Sequence, residues 1–146
     1  MTDEYLKPNT SFLRLLNEWR KYKSLVIAYD FDNTVYDFHK KGEKYEQVIR
    51  LLRELHSVNC YMICFTANED RDFVTEFLTY SQIPFDSINE NPPFFKGKEG
   101  KVYFNAFLDD RAGLIQVYNE LSLLLTFINE EKWKWTHCYL RIFIKL

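Results

Sequence analysis

Residues 25–38 read LVIAYDFDNTVYDF, an apolar run that ends in Asp30 and Asp32, with Asp37 five positions further on. An unbroken apolar run of this length suits a strand buried on both faces, as in a parallel sheet. Carboxylates closing such a strand either decorate a solvated turn or gather round a cation. The rest of the chain decides between these.

Outward from this strand, helix and strand patterns alternate. Before it, NTSFLRLLNEWRKY places Phe12, Leu15, Leu16 and Trp19 at i, i+3, i+4 and i+7, with Asn9, Thr10 or Ser11 as caps. After it, VYDFHKKGEK reads as a connector or small flap, and YEQVIRLLRELHSV as a helix with Val48, Leu51, Leu52 and Leu55 on one side. CYMICF is a second buried strand that ends at Thr66. NEDRDFVTEFLTYSQI is a helix with Asn68 as N-cap and Glu69 and Asp70 serving its dipole. PFDSINENPPFFKGKEGK holds a short strand and a turn-rich loop. VYFNAFLDD is a third clear strand, and AGLIQVYNELSLLLTFINEEKW a long apolar-faced helix. The tail, residues 136–146, reads as one more strand with no evident pairing partner. Residues 1–146 are expected to form a single domain, with an N-terminal helix within 1–22 and a core over about 24–130. The expected fold is α/β: a Rossmann-like three-layer sandwich with a mostly parallel sheet, helices on both faces and no cap domain.

In such sheets ligands bind beyond the carboxyl ends of the strands. Three strand ends carry polar groups of related chemistry: Asp30 with Asp32, Thr66, and Asp109 with Asp110. If these strands are neighbours, the acids and the nearby Lys101 share one crevice. Uncompensated, the carboxylates raise one another's pKa values. Mg²⁺ resolves the repulsion, because it takes oxygen ligands and keeps waters that an anionic group can replace.

The ordered set DFDNT, Thr66, a lysine and LDD resembles the haloacid dehalogenase (HAD) superfamily of phosphohydrolases, over roughly residues 24–130. The resemblance implies Asp30 as nucleophile and Asp32 as general acid and base. It implies Mg²⁺ held by Asp30, the main-chain carbonyl of Asp32 and Asp109, with Asp110 assisting. Thr66 is then the hydrogen-bond donor to the phosphoryl group and Lys101 the balancing cation, with Lys96 and Lys98 as alternatives. Asn33 stands where the family usually has Gly; Asn tolerates the left-handed conformation such a turn needs. The short intervals after Thr34 and between Thr66 and Lys101 leave no room for a cap, so the site is expected to be open.

Composition narrows the function. With 47% apolar and 27% charged residues and a net charge of −2, the chain is a globular protein without the basic excess of a dedicated nucleic-acid binder. The partners expected are therefore a nucleotide, or a phosphorylated macromolecule reaching an open site, with nucleic acid not favoured by charge. Cys60 and Cys64, roughly 13 Å apart along a strand, are too distant for a disulfide and read as buried thiols. MTDEYLKPNT is unlike a secretory leader and no apolar run is long enough for a membrane span, so a cytoplasmic setting is expected. Arg111 reads equally as a phosphate ligand or an ion-pair partner. Lys40, Lys41 and Lys44, like His39, His56 and His137, read as surface or structural residues. A rival reading is a non-catalytic phospho-acceptor module. Receiver domains combine the same residue types, but their acid pair ends the first strand and their acceptor Asp the third, an order that differs from this one.

Overall fold

The computed structural model describes residues 3–97 and 100–143, the side chains of Tyr5 and of residues 135–143 excepted. A short 3-10 turn, Glu4–Leu6, precedes α1 (Thr10–Tyr22), β1 (Val26–Asp30), α2 (Glu46–Ser57), β2 (Tyr61–Phe65), α3 (Arg71–Tyr80), β3 (Ser87–Ile88), β4 (Ala106–Leu108) and α4 (Leu114–Phe143). The strands form one parallel sheet in the order β3-β2-β1-β4. This is the α/β Rossmann-like sandwich expected, and no cap is inserted.

Its layers are unequal. Ile27 and Tyr29 of β1, Met62 and Cys64 of β2, and Ala106 and Leu108 of β4 pack with the buried residues of all four helices. Leu52, Leu55, Leu78 and Leu121 are fully enclosed there, each burial contributing about 1.5–3 kcal/mol. On the opposite face Val26, Ala28 and Ile63 pack against Tyr61, Val102, Phe104 and Phe107. Helices were expected on both faces, but that outer layer is supplied by the irregular segment between β3 and β4. The chain must step back over two strands to reach β4, and a right-handed crossover in that direction runs over the face away from α2 and α3.

The short outer strands are pinned by side chains acting as backbone. The amide N–H of Asn105 donates to the Val26 carbonyl, while its Oδ1 accepts from the Val26 N–H at 2.7 Å. Its Nδ2 donates to Glu18 and to the Tyr103 hydroxyl. Asp86 repeats the pattern at β3: its N–H donates to the Met62 carbonyl, and its Oδ2 accepts from the Met62 N–H at 2.7 Å. Each such bond contributes about 1 kcal/mol and spares a buried amide the larger cost of having no partner.

Three further expectations are corrected. The N-cap of α3 is Asp70, which accepts from the Phe73 N–H; Asn68 instead accepts from the Asp70 N–H. β4 is three residues long, because the chain before Asn105 leaves the sheet to cover its second face. Residues 136–143 continue α4 as helix rather than forming a strand. No Gly or Pro follows Gly113 to stop that helix, which extends about 45 Å. Residues 144–146, the end of that expected strand, lie outside the described residues. No helix among the described residues is long and apolar enough to cross a membrane.

Candidate active site

Register brings the acids together. Asp30 pairs with Phe65 across β1 and β2, and Tyr29 with Leu108 across β1 and β4. Asp30 and Asp109 are therefore level on adjacent strands, with Thr66 one residue past the Phe65 position. Neighbouring strands lie about 4.8 Å apart, so these groups share one carboxyl edge.

Beyond Asp30 the chain folds into a tight turn. The Val35 and Tyr36 N–H groups donate to the Phe31 carbonyl, and the Asn33 N–H donates to the Tyr36 carbonyl at 2.7 Å. Asn33 has φ 61°, the left-handed conformation anticipated for it. Phe31, fully buried, stacks on Tyr36 with ring centres 5.0 Å apart, and both rings meet Phe73 and Phe77 edge-on. This aromatic block fixes the turn on α3.

Thr34, also fully buried, joins two parts of the site. Its hydroxyl donates to Asp30 Oδ2 at 3.4 Å and accepts from the Asp110 N–H at 3.2 Å. Asp109 Oδ1 accepts from the Arg111 N–H at 2.7 Å, which closes the turn after β4. Thr66 is buried; its Oγ1 accepts from the Asn68 N–H at 3.0 Å, leaving the hydroxyl proton available to a ligand. Asn89 holds the Thr66 main chain, its Oδ1 accepting from the N–H and its Nδ2 donating to the carbonyl.

The electrostatics mark this edge as uncompensated. Burial, then the charge of Asp109, pushes the Asp30 carboxyl up to about 6; Asp110 and Asp32 add to this, against the Phe31 N–H. Asp32 is also raised, by burial first, with Arg111 opposing and Asp110 reinforcing. Its Oδ1 is buried with no hydrogen-bond partner. Among the described residues no cation offsets the rise at Asp30. Among the described residues no three acidic, imidazole or thiol side chains already stand at metal-ligand spacing. The donors that Mg²⁺ requires are nonetheless present, as hard oxygens on Asp30 and Asp109 whose mutual repulsion a cation relieves.

The lysine is the residue that the structure does not bring in. Lys101 is exposed in the segment before β4, and its ammonium makes no hydrogen bond or ion pair among the described residues. No lysine is among the influences on Asp30. Lys96 is exposed too, and Lys98 lies outside the described residues. Asp37, in contrast, organises the flap. Burial alone raises its carboxyl, but the N–H groups of Lys41, Gly42 and Glu43 all donate to it and hold it below the ordinary value. Cys60 and Cys64 are buried free thiols, pushed up by burial to about 11 and about 12, and are inert as nucleophiles.

Sequence reading passed over Thr34 and Asn89 and took Asp37 for flap decoration, where it accepts three N–H groups. Thr34 and Asp37 lie inside the opening stretch, and Asn89 directly follows the short strand. Asn and Asp at strand ends that need turns were the available signal.

No known protein family and no curated protein matches the chain. A solved structure of a conserved protein from Bacteroides thetaiotaomicron is similar in fold. It is 22% identical with a TM-score of 0.56, covering 74% of this chain and 92% of that one. The likeness is one of fold. At this identity it carries the α/β architecture and no chemistry.

Proposed function

We propose that the chain is a Mg²⁺-dependent phosphomonoester hydrolase of the haloacid dehalogenase type. The observation that carries this reading is the meeting of Asp30, Asp32, Thr66 and Asp109 at one carboxyl edge, with no cation balancing Asp30.

In this reading an Asp30 carboxylate oxygen attacks phosphorus, and the bond from phosphorus to the leaving oxygen breaks. Asp32, whose carboxyl burial raises above its ordinary value, delivers a proton to the leaving oxygen. Asp32 then takes a proton from water as the water oxygen attacks the aspartyl-phosphate, releasing phosphate and restoring Asp30. Thr66 donates its free hydroxyl proton to a phosphoryl oxygen, and Thr34 fixes the rotamer of Asp30. Asp30, Asp109 and the Asp32 carbonyl would hold Mg²⁺, with Asp110 assisting; the ion would supply charge neutralisation for the phosphoryl group.

A nucleotide is the favoured substrate. A crevice of about 470 Å³ between α2 and α4 opens beside Asp110, lined by Gln47, Val48, Leu114, Ile115 and Tyr118. Its size and apolar walls suit a small organic leaving group. The absence of a cap leaves a phosphorylated macromolecule as the alternative substrate.

The test is turnover of p-nitrophenyl phosphate with Mg²⁺, against EDTA and an Asp30→Asn variant, followed by a screen of nucleoside monophosphates and phosphorylated oligonucleotides. Metal-dependent turnover lost in the variant is expected. Stoichiometric phosphorylation without turnover would replace the hydrolase reading by the phospho-acceptor one.

A further inference from the structure

We infer that Asn89 is a positioning residue for Thr66, an inference that rests on the hydrolase reading above. β3 is two residues long and pairs with β2 only at Ile63 and Cys64. Thr66 therefore lies beyond the last strand neighbour on that side. Asn89 replaces the missing strand with its side chain. Its Oδ1 accepts from the Thr66 N–H at 2.7 Å, and its Nδ2 donates to the Thr66 carbonyl at 2.6 Å. Its own N–H donates to the Cys64 carbonyl at 2.9 Å, which anchors the clamp to β2. To reach back this way, Asn89 takes φ 57°, a conformation that Asn tolerates and most residues do not. Both main-chain groups of Thr66 are thereby fixed, while its hydroxyl proton stays free for the phosphoryl oxygen. A donor held this way needs no reorganisation as charge develops on the phosphoryl group.

The substitution that isolates the clamp is Asn89→Gly, because Gly keeps the left-handed backbone and removes both side-chain bonds. Asn59→Gly is the control. Asn59 sits before β2 at φ 73°, and its Nδ2 reaches the Lys23 carbonyl only at 3.5 Å. Asn89→Gly is expected to lower kcat about 10- to 100-fold with KM changed about twofold or less, as for a displaced transition-state contact. Asn59→Gly, which also swaps a left-handed Asn for Gly, is expected to keep kcat. Asn89→Asp, which keeps the acceptor and loses the donor, should fall between wild type and Asn89→Gly. The inference is overturned if Asn89→Gly turns over within about twofold of wild type, or if Asn59→Gly loses as much. Should wild type show no turnover, the hydrolase reading fails instead. The clamp is then read from hydrogen exchange at the Thr66 amide. Exchange faster by about tenfold or more in Asn89→Gly upholds it, and unchanged exchange overturns it.

Discussion

The two ends of the sheet use strand-end acids to opposite effect. At the amino end Asp86 and Asn105 spend their side chains on the main chain of Met62 and Val26. At the carboxyl end Asp30 and Asp109 raise each other's energy, and Asp32 keeps a buried oxygen with no partner. An acid at a strand end is therefore not a site by its identity; the unsatisfied ones are. Cavity size misleads in the same way. The larger cavity, about 790 Å³, lies at the amino end among Tyr22, Tyr61, Phe94 and Tyr103, away from the acid cluster.

The comparison breaks first at Asp30. Asp30→Asn removes the proposed nucleophile, so turnover should fall by about a thousandfold or more, a loss of about 4 kcal/mol in transition-state stabilisation. Its circular dichroism should match wild type. Steady-state kinetics with Mg²⁺ measures the loss, and a variant retaining a tenth of wild-type activity would remove Asp30 from the mechanism.

Asn105 should behave in reverse. Asn105→Ala strips the buried Val26 N–H of its side-chain acceptor and removes the Nδ2 donor to Glu18 and to the Tyr103 hydroxyl. A cost of about 2–3 kcal/mol is expected in chemical denaturation, with kcat unchanged below the melting range. Loss of kcat in a folded variant would show that the amino end is coupled to the chemistry.

How far these roles were legible in the sequence follows from what leaves a pattern. Strands buried on both faces read as unbroken apolar runs and amphipathic helices repeat at 3.6, so β1, β2, α1 and α2 were readable to within a residue or two. Asp30, Thr66 and Asp109 were readable because they end such strands. Asn89, Asn105 and Asp86 act through side-chain bonds to main chain that is distant in sequence, and these have no period. The second face was misjudged for the same reason: Val102, Phe104 and Phe107 cover it from an irregular segment that no helical repeat announces. The tail was read as one more strand, whereas α4 simply continues without a stop signal.

A smaller effect tests the repulsion itself. Folding raises the Asp30 pKa from 3.8 to about 6, so the folded state holds that proton more tightly than the unfolded chain. The resulting stabilisation is fully present below about pH 4 and is lost as pH rises through about 6. Its size is on the order of 1–2 kcal/mol, once the half-exposed setting of the carboxyl is allowed for. Without divalent ions, wild type should lose stability relative to Asp30→Asn between pH 5 and 7.5. Adding Mg²⁺ at pH 7.5 should restore wild type more than the variant. Parallel melting curves at every pH would mean that the carboxyl edge is not strained.

The smallest effect concerns the missing counter-charge. Lys101 makes no contact with the acids, whereas Arg111 follows Asp110 and is the cation that opposes the rise at Asp32. A guanidinium beside the acids can meet two oxygens of a phosphoryl group at once, which an ammonium on an exposed loop cannot. Arg111→Ala is expected to raise KM for p-nitrophenyl phosphate about three- to tenfold, equivalent to about 1 kcal/mol, with kcat reduced less. Lys101→Ala should change either constant less than about twofold, because its ammonium is solvated and screened where it stands. The opposite ranking would mean that the segment before β4 moves when substrate binds and carries Lys101 to the phosphate. The carboxyl edge would then be completed by the same irregular layer that covers the second face of the sheet.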